Sequence, residues 1–411
     1  MCNFCPKSLV CIDKAISLHS FKLNVQKILR YSIMEKSFIS FVENSIKKNW
    51  DLDALTDYKG ATLQYKDVAR KIEKLHIIFE NSGVVKGDKI AICGRNSSHW
   101  GVVFLATLTY GAVAVPILHE FKADNVHNIV NHSEAKLLFV GDMVWENLNE
   151  AAMPLLEGII LVNDFSILVS RSEKLTYSRE HLNELFGKKF PKNFRIKHIN
   201  YHKDQPEELA VINYTSGTTS YSKGVMLPYR SLWSNTQFGF DVLPLKSGDE
   251  LISMLPMAHM YGLAFEFLYE FACGCHIYFL TRMPSPKIIF QAFAEIKPRI
   301  IIAVPLIIEK IIKKNVLPKL ETPTMKLLLK VPFINDKIKH TVRDQVVKAF
   351  GGNFEEVVVG GAAFNQEVEQ FLKMIEFPYT VGYGMTECGP IICYEDWKRF
   401  KAASCGKAVP R

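Results

Sequence analysis

Between Lys89 and Ile117 the chain reads "KIAIC", "GRNSSH", "WGVVFLATLTYG" and "AVAVPI". A short apolar run meets a polar turn. A stretch of helical length follows, ends in glycine and leads to a second apolar run. This order is a strand–helix–strand unit, which implies neighbouring strands that run parallel. A parallel sheet is covered on both faces, so its strands read as continuous apolar runs. Similar runs recur as "KLLFV" at Lys136, "GIILV" at Gly158, "LAVINY" at Leu209, "ELISML" at Glu250, "CHIYFL" at Cys275, "RIIIAV" at Arg299 and "EEVVVG" at Glu355. Helices fit between most of them. The expected fold class is α/β, with two packed, mostly parallel sheets.

The 411 residues exceed what one hydrophobic core holds. A first α/β subdomain is expected over residues 34–205 and a second over 206–400. The polar, less periodic stretch Ser170–Asp204 reads as a connection between them. Residues 1–33 contain three of the nine cysteines and no glycine. Their apolar stretch, "SLVCI", is too short for a signal-peptide core. With Met34 placed like a natural start, 1–33 is expected to be a disordered extension or a mis-assigned beginning.

A hydrophobic content of 48% and a charged content of 22% are ordinary for a folded globular chain. The nearest approach to a membrane span, Pro298–Lys314, is interrupted by Pro305 and charged from Glu309. A buried strand leading into a helix suits it better. The net charge of +8 favours anionic partners: nucleotides, coenzyme A, fatty-acid carboxylates or an acidic membrane face. No Arg-rich block or repeated aromatic–basic pattern points to nucleic acid. Nine scattered cysteines suit the reduced thiols of a cytoplasm. The "CNFC" pair, with Cys11 and His19 nearby, lacks the second pair that a zinc site needs.

The chemistry concentrates in "NYTSGTTSYSKGVML", Asn213–Leu227. A strand, a loop of glycine and hydroxyl residues, and then a lysine make an anion cradle. Glycine lets backbone N–H groups turn toward a phosphate, hydroxyls add donors, and Lys223 adds a point charge. It is not a Walker loop, which needs glycine before the lysine; here Ser222 stands there.

This loop resembles the phosphate-binding signature of the adenylate-forming (AMP-binding) enzymes: acyl-CoA synthetases, luciferases and peptide-synthetase adenylation domains. Further motifs follow in that family's order. "LPMAHMYGL" (Leu255–Leu263) resembles the segment bordering the carboxylate substrate. "VVVGGAAF" (Val357–Phe364) resembles the adenine-contacting turn. "VGYGMTECGP" (Val381–Pro390) resembles the most diagnostic segment, and "SCGKAVP" (Ser404–Pro410) the run into a β-barrel, begun over 401–411. Within the superfamily, the chain most resembles bacterial long-chain fatty acid–CoA ligases.

The resemblance implies ATP, Mg²⁺ and coenzyme A as cofactor and co-substrates, and small-molecule partners. It places Thr215, Ser216, Gly217, Thr218, Thr219 and Lys223 on the phosphates. It places Gly360, Gly361, Ala362, Ala363, Tyr383, Gly384, Met385 and Thr386 around the nucleotide. His259, Gly262 and Gly384 would line the acyl substrate. Lys223, Thr386 and Glu387 would be catalytic, with Thr218 and Glu387 on the metal. Two departures stand out. Ser220 and Ser222 replace the usual Gly and Pro, which removes a hinge from the loop. The family's ribose-binding aspartate, hinge arginine and lid-domain lysine have no counterpart within the sequence, so this chain alone is expected to turn over poorly.

The residues read by themselves agree. Glu387, behind the apolar "YTV", would face the ligand crevice of an open α/β sheet and offer oxygen to Mg²⁺. Gly360 and Gly361 would let a flat base approach the backbone. His259 reads either as a packed core residue or as a border of the substrate. No Ser-His-Asp or Cys-His arrangement demands another chemistry. The expected activity is an ATP-dependent acyl-CoA ligase for medium or long fatty acids. The alternatives are a module that loads a carrier protein and a nucleotide-binding remnant. The resemblance implies an aspartate at the substrate-amine position in the family's peptide-synthetase domains; here "MYGLAFEFLYEF" holds Glu266 but no aspartate, which disfavours amino acids. A cytoplasmic location, with peripheral contact at the inner membrane face, would suit a fatty-acid enzyme.

Overall fold

A computed structural model describes residues 37–215, 222–281, 285–316, 318 and 332–410. The 1–33 extension, the "CNFC" pair and Ser216–Thr219 lie outside the described residues. In chain order the strands are β1 (Asp53–Asp57), β2 (Thr62–Gln64), β3 (Lys89–Cys93), β4 (Val113–Ile117), β5 (Ala135–Val140), β6 (Gly158–Leu161), β7 (Ile167–Ser170), β8 (Leu209–Thr215) and β9 (Lys223–Pro228). They continue with β10 (Glu250–Ser253), β11 (His276–Phe279), β12 (Ile300–Ala303), β13 (Glu356–Val359), β14 (Tyr379–Val381), β15 (Tyr383–Gly384), β16 (Ile391–Tyr394) and β17 (Lys407–Ala408). Each apolar run named above is one of these strands.

The largest sheet has the order β7-β6-β5-β3-β4-β8-β9. Its inner strands pair in parallel, and β7 and β9 close the edges antiparallel. A second sheet, β10-β11-β1-β2, is parallel except for β2. A third, β12-β13-β14, is wholly parallel. The Arg299 N–H donates to the Glu250 carbonyl at 3.0 Å, joining the β12 side to β10. Short antiparallel strands β15-β16-β17 complete the described chain.

The helix Ser98–Tyr110 lies between the two large layers and is buried almost all round. A side chain at its Gly101 would come within 3.0 Å of Phe267 and 3.6 Å of Leu55, on the second layer. Ser97 caps its start by accepting from the Trp100 N–H, and Gly111 ends it at φ 87.

Sheet membership crosses position 205. β8 and β9 complete the first sheet, whereas β1 and β2 join the second. The stretch after Ser170 is also not an open connection. It forms the helices Glu173–Glu180 and Leu182–Lys189, and Lys189 reaches Glu73 at 3.5 Å and Glu80 at 3.2 Å on the helix Tyr65–Asn81. Charged segments hid this packing, because the contacts are made by a few residues, Leu175, Leu182, Leu185 and Phe186 with the head of Lys189, rather than by a continuous apolar stripe. Among the described residues, no helix is long and apolar enough to cross a membrane.

Asp204, at the end of this stretch, accepts from the Phe38 N–H at 2.9 Å, the Ile39 N–H at 3.3 Å and the Ser37 hydroxyl. It thereby satisfies the free donors that begin the helix Phe38–Lys48. Asp204→Ala leaves those buried donors without partners. The expected loss is about 2 kcal/mol in denaturant titration.

Candidate active site

The glycine–hydroxyl loop is suspended between β8 and β9, a pair that the sequence did not reveal. Lys223 opens β9 and stands opposite Thr215 in the antiparallel ladder. It was expected in the loop itself. The run "KGVML" pairs along "VINYT" because edge pairing satisfies its backbone, although Gly224 and exposed Met226 spoil its apolar pattern. Lys223 is exposed and Thr215 half-buried. The Asn213 amide donates to the Ala258 carbonyl at 2.8 Å, which ties this hairpin to the next motif.

That motif is held by three polar side chains. Asn96, from the "GRNSSH" turn, donates to the Leu255 carbonyl at 2.6 Å and accepts from the Met257 N–H at 2.9 Å. Glu266, fully buried in a π-helical turn (Ala264–Leu268), accepts from the N–H groups of Met254 at 2.9 Å and Leu255 at 2.7 Å. Burial pushes its carboxyl well above the usual carboxylate range. The clamped loop presents His259 at its surface. Partial desolvation by the surrounding loop lowers the pKa of the exposed His259, and Glu120 opposes the shift. His259 is therefore no core histidine; it stands at the edge of a cavity. Gly262 is sterically required, since a side chain there would come within 2.8 Å of the Pro256 carbonyl.

The remaining motifs sit beyond β13 and β14. At Gly360 a side chain would come within 3.0 Å of the Tyr261 ring, whose hydroxyl donates to the Val358 carbonyl at 3.1 Å. At Gly384 it would lie 2.3 Å from the Pro390 carbonyl oxygen. Asn235, on the helix Tyr229–Val242, donates to the Cys388 carbonyl at 3.3 Å and accepts from the Ile391 N–H at 2.9 Å. It pins the Thr386–Cys388 turn, which also abuts β9 and so faces the Lys223 strand.

A cavity of about 290 Å³ joins these parts. His259 and Gly262 border it, as do Gly360, Gly361, Tyr383, Gly384, Met385 and Thr386. Its inner wall is apolar and aromatic, with Phe238, Phe265 and Tyr394. Ala362 and Ala363 are exposed and do not line it; Glu387 is exposed on the adjoining turn. A second, polar cleft of about 620 Å³ contains Arg95, Asn96, His119, Glu120 and Asp142. Asn96 thus belongs to this cleft and also holds the His259 loop.

Among the described residues, no three His, Cys, Asp or Glu side chains group to hold a metal. The free oxygens of Glu387 suit Mg²⁺, which takes one or two carboxylates and completes its shell from water and phosphate. Thr218, the other expected ligand, lies outside the described residues. Asn96, Asn235, Phe238, Glu356 and Tyr394 were not singled out from sequence. The only available sign was Asn96 in a turn directly before a helix.

The AMP-binding enzyme family model matches residues 42–411. The chain belongs to the AMP-binding enzyme family. It is 27% identical over 352 residues to long chain acyl-CoA synthetase 3 of Arabidopsis thaliana, covering 79% of this chain and 52% of that protein. Long-chain-fatty-acid–CoA ligase 5 of Rattus norvegicus is also 27% identical, over 362 residues, 79% of this chain and 50% of the relative. The chain thus spans about half the length of these curated relatives. Among solved structures, the anthranilate CoA ligase AuaEII in complex with anthranoyl-AMP matches at a TM-score of 0.69 and 17% identity, over 91% of this chain and 64% of that one. A Mycobacterium tuberculosis fatty acyl CoA synthetase matches at 0.65 and 18%, over 91% and 64%. These structures share the AMP-binding fold of two packed α/β layers.

Two outcomes test the site. Gly384→Ala drives a methyl into the Pro390 carbonyl, so a stability loss of roughly 1–3 kcal/mol is expected in denaturant titration. The second concerns Glu356, whose carboxyl burial pushes from 4.5 up to about 7 against the hydrogen bond from Tyr394, with Asp396 and Glu355 adding to the rise. The folded state keeps this proton where the unfolded chain has lost it. Stability from this group is therefore full below pH 4.5 and is lost as pH rises through about 7. The loss is on the order of 3 kcal/mol. Urea titrations of Glu356→Gln across that window should show a correspondingly flatter decline than the parent chain.

Proposed function

We propose that this chain is the nucleotide- and acyl-binding part of an ATP-dependent fatty acid–CoA ligase. The observation that carries the reading is the apolar cavity onto which the His259, Gly360 and Tyr383–Thr386 segments converge, beside the Lys223 strand. A carboxylate at the mouth, between His259 and Thr386, attacks the α-phosphorus of ATP. Pyrophosphate leaves and an acyl-adenylate remains. A thiol then displaces AMP to give the thioester.

The protein needs no nucleophile of its own; it positions groups and neutralises charge. Lys223, with the Thr215–Thr219 loop, holds the departing phosphates. Gly360 and Gly361 bring the backbone to the adenine, and Tyr383 covers it. Glu387, with Thr218, would hold Mg²⁺, which offsets phosphate charge when bound. The polar cleft with Arg95 and His119 offers coenzyme A an approach beside His259.

Two features support an alkyl acid over an amino acid. The inner cavity wall is apolar. Glu266 is wholly buried, turns Oε2 to the Met254 and Leu255 N–H groups and does not line the cavity, so it lies out of reach of a substrate amine. The names of the relatives and the basic net charge, suited to an acidic membrane face where fatty acids partition, point the same way.

Fatty-acid-dependent exchange of labelled pyrophosphate into ATP tests the reading. Exchange is expected with straight-chain acids and not with amino acids. Lys223→Ala and Glu387→Gln should each lower it by about 10²-fold. Exchange driven by amino acids and not by alkyl acids would overturn the proposal.

A further inference from the structure

The cavity has a floor. Val358 on β13 and Gly360 directly after that strand both line it, and the period of two turns Glu356 to the same side as Val358. Ile302, opposite Val358 in the β12–β13 ladder, lines it as well. Along the other side runs a series of rings. Tyr261 lies 6.4 Å from Phe265, Phe265 lies 6.1 Å from Phe238, and Phe238 lies 5.5 Å from Tyr394, each edge-on. The series begins beside Gly360 at the mouth and ends on Glu356, which accepts from the Tyr394 hydroxyl at 2.7 Å. Tyr394 and Glu356 are only 9% and 3% exposed.

This hydrogen bond fixes the Tyr394 ring across the inner end. Rotating the ring away would break it and take from the buried Glu356 Oε1 its hydrogen-bond donor. The neighbouring Phe238 ring blocks the same movement from the side. The floor is thus a braced aromatic ring.

Resting on the fatty-acid reading above, we propose that Tyr394, positioned by Glu356, is the residue that limits acyl length, and that the substrate is a medium-chain acid. The whole cavity is about 290 Å³, and an alkyl chain takes up roughly 30 Å³ per carbon, about a water's share of liquid volume, so about ten carbons fill it. A palmitoyl tail exceeds this volume. The names of the relatives carry "long-chain", and a medium-chain limit would set this chain apart from them.

The test uses non-hydrolysable acyl-sulfamoyl adenosines, which imitate the acyl-adenylate, titrated by calorimetry into the 411-residue chain. The decanoyl compound should bind at least tenfold more tightly than the palmitoyl compound. Tyr394→Ala should reduce that ratio to about threefold or less; Tyr394→Phe, which keeps the ring but loses the bond to Glu356, should reduce it part-way, whereas Glu356→Gln, which keeps an acceptor, should preserve most of it. Circular dichroism checks folding, and Tyr394→Val serves if the alanine variant does not fold. Equal binding of both compounds by the parent chain, or a ratio unchanged in the alanine or valine variant, would overturn the length limit while leaving the fatty-acid reading in place. Failure of every alkyl compound to bind, with ATP still bound, would overturn that reading and the limit with it.

Discussion

A parallel sheet must be covered on both faces, and in this chain one helix covers two sheets at once. Ser98–Tyr110 is buried on nearly every side, with Gly101 admitting Phe267 from the second layer. The two layers therefore cannot shift independently. The turn that starts this helix carries Asn96, which clamps the Leu255–Met257 backbone and thereby sets the position of His259. The shared core and the site geometry depend on the same element.

The site is built almost entirely from backbone held by buried polar side chains. Asn96, Asn213, Asn235 and Glu266 each tie one motif to another element. Each bond is modest in water but matters when both partners are buried, because breaking it leaves an unsatisfied group. In the proposed reaction such an arrangement would hold a carboxylate and phosphate in place while leaving the surface residues Lys223 and Glu387 free to engage the ligand. An enzyme whose chemistry is positioning needs this kind of rigidity more than it needs reactive side chains.

Much of the fold was legible because parallel strands announce themselves. The runs from "KIAIC" to "EEVVV" are continuous and apolar, and each is a strand. The glycines were legible as well, and the structure supplies their reasons: Gly262, Gly360 and Gly384 each leave no room for a side chain. What escaped were pairings across long sequence distances. β9 was hidden because an edge strand with Gly224 and exposed Met226 has no apolar pattern. The helices after Ser170 were hidden because a few leucine, phenylalanine and lysine contacts hold them. Tyr394 was hidden because a tyrosine in a short strand carries no sign of the carboxyl it meets.

Local chemistry therefore determined which segments carry the family's motifs, through glycine, hydroxyl and lysine in a given order, and which runs would become buried strands. Tertiary structure alone decided that Lys223 would open a strand beside the Thr386–Cys388 turn, that Glu266 would serve the backbone and not a substrate, and that the cavity would end on a ring braced by Glu356. The reason is physical. Backbone conformation and burial are encoded over a few residues, but the depth and lining of a cavity arise where strands and helices distant in the chain meet, and no local pattern records which partners those will be.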